Sequence, residues 1–519
     1  MNEKQTLGNA ELENFLQERI GYHGYGPESI RIKNKEINEK VEGYIRRNQS
    51  HNTFIKVLIF DNCIFNETVN FGNYQNSGAI KFENCVFNNK VQVYFDNTSF
   101  VNPFFNSDLN LELSSDKNAE VSELNVKGEL KISGQPNKLI LKKINVDEKV
   151  DKQIVKVAVS TPELAIEQVR GNILDFSNST RVGRVFNLEK NDVLELLIDG
   201  MTLNTELVVN DCKIEKVNIK KIEKGNRAIQ FNHSNISSFD FKVNQVDKMS
   251  FTNCTINDLK IYDVNDMDSI FSIEKTKVLK LRFEGLFNKG LITIKELIIP
   301  HSGIVSFRSS NLGKADFIYC NFSEAVLEFE NSKITEAFFS ETEFPKKVLV
   351  DNKKNHAQAQ LAFGQLATAF QKQGDSIRAL EYSSRELESH YRNIELFSIY
   401  FFQKVNLWLN WISNNFGRSW FIGTIFSFVV GLLFFCLLLI STDKYSWGFP
   451  QFDFSLIPAY LKFMNPLRFF ELEALFNNTP QEGAIRLGGR SYLADFFGRV
   501  FVAYGYYQTI QAFRRFGRK

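Results

Sequence analysis

From about residue 53 to 350 one short pattern of apolar and polar positions keeps returning: large apolar, any residue, Asn, small residue, any residue, large apolar. It reads Phe60-Asp61-Asn62-Cys63-Ile64-Phe65, then Phe82-Glu83-Asn84-Cys85-Val86-Phe87, then Phe95-Asp96-Asn97-Thr98-Ser99-Phe100. Further copies are Phe251-Thr252-Asn253-Cys254-Thr255-Ile256 and Phe329-Glu330-Asn331-Ser332-Lys333-Ile334, with looser ones at 231–236 and 317–322. Several recur after 20 to 22 residues, as Phe60 to Phe82, Phe231 to Phe251 and Phe317 to Phe339 show. Such a period, without helical crossovers, predicts stacked coils of short strands. Alternate side chains then point inward, so Phe or Ile and Cys, Ser or Thr fill a narrow interior together in columns. Asn suits the corners because it tolerates left-handed backbone. The expected fold is a β-solenoid, a right-handed β-helix with pentapeptide-like coils over 53–352, although strict five-residue periodicity is absent and 110–175 is blurred.

Residues 1–52 are polar, with Leu12, Phe15, Leu16 and Ile20 at helical spacing, and read as an N-terminal cap. The pattern switches at about 353 to a helical neck. The stretch 353–393 predicts helix, a turn at Gly374-Asp375, and helix, with one face of Leu361, Leu366, Ala369 and Phe370 and another of Ala379, Leu380, Tyr382 and Leu387. The second helix is expected to run on into the aromatic-rich stretch before residue 418. That stretch suits a membrane interface; a buried core helix is the alternative.

Residues 419–519 read as a transmembrane domain. Trp420 to Ile440 carries no charge over 21 residues, which at ~1.5 Å each covers roughly the 30 Å of a hydrocarbon core. A second span is expected at about 492–513, followed by Arg514, Arg515, Arg518 and Lys519. That basic tail, and an N-terminus without a signal pattern, place both the N-terminal domain and the C-terminus in the cytoplasm. The second span carries Asp495, Arg499, Gln508 and Gln511, and polar spans face protein or water rather than lipid. Helical spacing puts Tyr504, Gln508, Gln511 and Arg515 on one stripe, the expected pore lining. Asp495 and Arg499, four apart, read as a membrane ion pair, with a charged outer mouth as the alternative. Between the spans, about 450–478 is apolar and broken by Pro458 and Pro466, which suits a re-entrant segment. No potassium-selective Thr-Val-Gly-Tyr-Gly filter is present.

Composition changes little of this. The chain has 519 residues, 43% hydrophobic and 24% charged, with a formal net charge of +2 and 50 Phe. That balance gives no global reason for binding nucleic acid, and it argues against a soluble DNA-mimicking repeat protein. The six cysteines form no Cys-x-x-Cys pair, and five of them fall in the solenoid's small inward slot. The six histidines have no ligand spacing, and no nucleotide, hydrolase or zinc-protease motif occurs. We therefore expect no catalytic site, no metal and no cofactor. Lys216, Lys220, Lys221, Lys224 and Arg227 are the densest basic run outside the termini. They are candidates for binding a phosphate-bearing ligand; a solvated, lysine-guarded strand edge is the alternative.

Three segments carry a family resemblance: FGQLATAFQKQGDSIRALEYSSRELESHYR, NNFGRSW opening a span, and the terminal YQTIQAFRRFGRK. Over about 360–519 the chain resembles bacterial inner-membrane proteins with pentapeptide-like repeats and a two-span potassium-channel-like C-terminal domain. These include membrane effectors of anti-phage defence, among them the pore-forming partner of a nucleotidyltransferase in the Hailong system. The resemblance implies a homo-oligomeric channel, a tetramer in the lipid bilayer, controlled by a nucleotide or single-stranded oligodeoxynucleotide and working with a nucleotidyltransferase partner. The expected function is thus a ligand-gated pore; the alternative is a membrane-anchored β-helix scaffold without conductance.

Overall fold

The computed structural model describes residues 29–42, 57–71, 79–94, 98–115, 117–146, 154–176, 180–223, 227–345, 348–350, 353–395, 399–442, 456–468 and 488–517, together with 5, 6, 11, 472 and 475. The chain divides into two units, 1–346 and 347–519.

The first unit is a β-solenoid. Its ladder starts inside the stretch expected to be a cap: Ser29–Lys33, Lys35–Ile37 and Val41–Glu42 pair in parallel with Val57–Asp61, Ile64–Phe65 and Val69–Phe71 of the next coil. The cap positions Leu12, Phe15, Leu16 and Ile20 lie outside the described residues, as do Phe95, Asp96 and Asn97. Further on, neighbouring short strands merge, so that the single strand Ile154–Glu167 pairs with both Leu130–Gly134 and Lys138–Lys142. The strands are parallel and, apart from register shifts near Thr161, Asp199 and Ile261, in register from coil to coil, placing like positions above one another.

Local sequence explains the corners. Asn62, Asn84 and Asn253 have φ of 55°, 52° and 54°, and the N–H of each donates to a carbonyl of the following coil. The blurred stretch is built the same way, with Glu123, Lys143 and Gln168 at φ of 58°, 52° and 55°. A left-handed non-glycine residue costs about 1–2 kcal/mol, and the coil-to-coil hydrogen bond offsets it, so any residue with an N–H can serve. Inside that stretch Leu111, Val121, Leu139, Leu141 and Val157 are buried where Phe stands elsewhere. Its period is regular in space and hidden only in letters.

Phe columns fill the interior. Phe60 stacks on Phe82 at 5.2 Å, Phe65 on Phe87 at 4.9 Å, and Phe231 on Phe251 at 5.2 Å. The small slot is a second column, where the Cys212 N–H donates to Ser234 Oγ at 3.1 Å and the Cys254 N–H to Thr276 Oγ1 at 3.3 Å. Cys63, Cys85, Cys212, Cys254 and Cys320 are all buried there as free thiols. A thiol and a hydroxyl are interchangeable at this position because each is small and each donates back to a carbonyl of its own coil.

The second unit is helical. Val348–Val350 forms an antiparallel pair with Lys353–Lys354, and six α-helices follow among the described residues: α1 (His356–Lys372), α2 (Ser376–Asn393), α3 (Phe401–Asn414), α4 (Trp420–Ile440), α5 (Ile457–Phe463) and α6 (Gly489–Gly517). Asn355 and Asp375 cap α1 and α2 through their side chains, and Gly374 turns between them at φ 81°. Phe370 and Tyr382 stack across the pair at 5.3 Å. Leu361 is 42% exposed, because five residues before Leu366 it falls on the other side of the helix.

One further expectation changes. Helix α2 does not run on: Ile394 turns to extended backbone at φ −77°, ψ 126°, packs with Leu407 and Phe416, and its carbonyl accepts from Lys404 Nζ at 2.6 Å. Helix α4 is the one helix among the described residues long and apolar enough to cross a membrane; α6 has 29 residues but carries Arg490, Asp495, Arg499, Arg514 and Arg515. The two are antiparallel. Trp420 meets Phe513 at one end, and Ser441 Oγ donates to Ser491 Oγ at 2.8 Å at the other.

Candidate functional site

Small residues let α4 and α6 approach closely. Gly423, Ser427 and Gly431 recur every fourth residue of α4 and are buried. A Cβ on Gly423 would meet Thr509 at 2.7 Å, and one on Gly505 would meet Ser427 at 2.3 Å. This spacing is a helix-packing signature in lipid, and it was legible in the sequence as Gly-x-x-x-Ser-x-x-x-Gly. Short α5 packs beside them, with Ala459 and Phe463 against Phe435, Leu438 and Leu439.

A charged centre joins α5 to α6. Asp495 and Arg499 pair as their spacing predicts, Arg499 Nε donating to Asp495 Oδ2 at 2.9 Å. Arg468, from the segment after α5, pairs with the other Asp495 oxygen. Asp495 is 1% exposed, so its environment is protein rather than an open mouth. The arginines also secure the backbone near the end of α5: Arg499 Nη1 donates to Arg468 O at 2.6 Å and Arg468 Nη1 to Lys462 O at 3.3 Å. The Arg468 guanidinium lies 4.7 Å above the Phe463 ring. Sequence reasoning missed Arg468, since its partner is 27 residues away and no helical spacing links them. The available signal was a lone Arg in an apolar segment facing a lone Asp in a helix.

Of the expected pore stripe on α6, Gln508 is turned toward its own chain. Gln508 is 5% exposed, and Asn414 Nδ2 donates to its Oε1 at 2.5 Å. Tyr504 and Gln511 are half-buried, and Tyr504 meets the Phe426 ring edge-on. The Arg515 side chain lies outside the described residues. At Gln508, therefore, the amide answers to Asn414 within its own chain. The reason is local: buried Asn414 spends its oxygen on the Gly417 N–H at 2.8 Å and needs an acceptor for its amide protons.

Apart from Arg490 and Arg514 near the ends of α6, what α4 and α6 turn outward is apolar or aromatic. On α4 these include Phe421, Ile425, Phe428, Val429, Leu432, Leu433 and Leu437; on α6 they include Leu493, Phe496, Phe497, Val500 and Ile510. Helix α3 exposes Phe402, Trp408 and Trp411.

The basic run of the solenoid is not a converging site. Lys216, Lys220 and Lys221 project from the strand Lys213–Glu223; Lys220 faces Asp199 at 3.6 Å, Lys221 faces Glu223 at 4.0 Å, and Arg227 pairs with Asp247. Lys216 stands beside Glu195 and Ser238 in register. Lys224 lies outside the described residues. Acids of the same and neighbouring coils already answer three of these charges, as on a solvated strand face. Near Lys220, burial holds the Asp175 carboxyl above its ordinary range. No cluster of three His, Cys, Asp or Glu with metal-holding geometry occurs among the described residues. Compared with family models, curated proteins and solved structures, the chain matches none.

Proposed function

We propose that this chain is a membrane protein whose α4–α6 unit lies in lipid and, with further copies, encloses an ion pathway controlled by a ligand of the β-solenoid. The observation that carries the reading is the sorting of side chains on α6. Every described charged or amide side chain between Tyr492 and Gln511 is turned inward, while Leu493, Phe496, Phe497, Val500 and Ile510 stay exposed beside the apolar outer face of α4. An apolar surface of that extent marks a lipid or protein contact, and lipid requires the polar groups to be satisfied inside. The pathway itself rests on α5, a short helix tied between two long antiparallel ones by Arg468, Asp495 and Arg499, as a re-entrant segment would be.

Arg418 and Arg514 stand at the same end of the hairpin, which favours a cytoplasmic location for that end. The family resemblance supports a role in bacterial anti-phage defence, a tetramer, and a nucleotide-derived ligand. The test is planar-bilayer recording on purified protein, with and without nucleotides and short oligodeoxynucleotides. Conductance is expected, and its absence under every ligand refutes the pathway. The Asn414–Gln508 bond favours a second reading, a membrane-tethered scaffold, because it leaves that amide no water to face. That reading predicts that an unrelated anchor in place of 419–519 preserves activity.

A further inference from the structure

Among the described residues of the helical unit, the non-glycine positions with left-handed backbone lie in the turn between α3 and α4. Asn415, Phe416 and Gly417 are left-handed in succession, at φ 52°, 56° and 85°. For a bulky aromatic such as Phe416 this conformation is an outlier that persists only when its surroundings enforce it. The enforcing contacts come from three helices. The Phe416 side chain is 2% exposed against Ile394 and Leu407. Its carbonyl accepts from Ser384 Oγ of α2 at 3.1 Å, a buried hydroxyl whose single proton is shared with Leu380 O of its own helix at 2.9 Å. The next N–H, on Gly417, donates to Asn414 Oδ1, and Asn414 Nδ2 donates to Gln508 of α6.

We infer that this turn is a mechanical relay, through which α2 sets how firmly α6 is held. The order of bonds gives the direction. When Ser384 withdraws, the Phe416 carbonyl is left buried without its side-chain donor, and the left-handed turn loses one of the contacts that enforce it. As the turn relaxes, Gly417 releases the Asn414 oxygen. Asn414 then rotates away from Gln508, and the α6 segment around it is freed. Ser384 and Gln508 share no hydrogen bond, and the turn links them bond by bond, alongside the packing of α3 against both α2 and α6. Strained, over-determined segments of this kind are where two-position switches are built. The use of the relay, gating of the α4–α6 unit, rests on the membrane reading above; the coupling does not.

Hydrogen exchange read by mass spectrometry on the full chain in detergent micelles tests the coupling. Ser384→Ala is expected to speed exchange across 413–419 and also across 504–512, by about five-fold, the effect of one lost net hydrogen bond. Ser389→Ala, buried on the same helix, is the control and should leave 504–512 unchanged. Adding Asn415→Gly to Ser384→Ala lets a residue without a Cβ penalty hold the turn, and should return 504–512 toward the wild-type rate. The relay is overturned if Ser384→Ala acts only within 380–419, or if Ser389→Ala loosens α6 equally. Bilayer recording in parallel separates the two claims. Faster α6 exchange with an unaltered open fraction overturns gating by the relay. A wild-type protein without conductance overturns the ion pathway, and the exchange data still decide the coupling.

Discussion

Replacing Asp495 with Asn keeps the shape of the side chain and removes the one charge that two arginines share. Arg468 and Arg499 have side chains only 10% and 8% exposed, so neither guanidinium can turn to water without dismantling the end of α5. Removing one partner of a buried ionic group costs about 3–5 kcal/mol, a large part of the roughly 5–15 kcal/mol that holds a domain together. The compensated variant separates charge from packing. With Asp495→Leu, Arg468→Met and Arg499→Met together no buried charge remains, an exchange that is often neutral. The Lys462 and Arg468 carbonyls would lose their arginine donors at ~1 kcal/mol each. The triple variant should therefore lie within about 2 kcal/mol of wild type. Intrinsic fluorescence is a clean assay, because Trp408, Trp411, Trp420 and Trp447 are the chain's four tryptophans and all belong to the helical unit. Denaturant titration in detergent should show a marked loss for Asp495→Asn and recovery for the triple variant. A loss below ~1 kcal/mol, or a triple variant as weak as the single one, refutes the charge argument.

In the solenoid, Phe82→Ala empties a site whose ring touches Phe60, Phe65, Phe87 and Phe100 at 5.2 to 5.7 Å; far-UV melting should show a loss of about 3–5 kcal/mol, and a loss under 1 would contradict the packed columns. At the corners, Lys275→Gly (φ 48°) should stabilise by ~1 kcal/mol while Asn62→Ala destabilises by a similar amount. Equal effects of opposite expectation, or none, would show that the corners carry no strain. Burial pushes the Cys212, Cys254 and Cys320 thiols up to about 11. The folded state thus keeps protons that the unfolded chain loses near pH 8.5–9, so stability falls as pH rises through 9 to 11, by up to about 3 kcal/mol per thiol. Cys254→Ser, a residue type the same column already holds at Ser234, should flatten the fall of Tm over that window. An identical slope in wild type and variant sinks the assignment.

The amino-acid sequence alone determines whatever depends on near neighbours. Alternation with a corner residue writes the solenoid coil, as at Phe60 to Phe65, because strand direction and corner geometry are properties of a few consecutive residues. An uncharged run of 21 residues writes α4, and four-residue spacing writes the Asp495–Arg499 pair. Tertiary structure decides the rest. Coils at 110–175 belong to the stack although their letters do not repeat, since the stack asks for an inward apolar side chain and a corner N–H, and Leu, Glu or Lys supply these as well as Phe and Asn. Arg468 reaches Asp495, and Asn414 claims Gln508, across 27 and 94 residues, distances over which spacing carries no information. The direction in which the polar side of α6 points was therefore settled by the buried groups that needed partners, not by the periodicity of the helix that carries it.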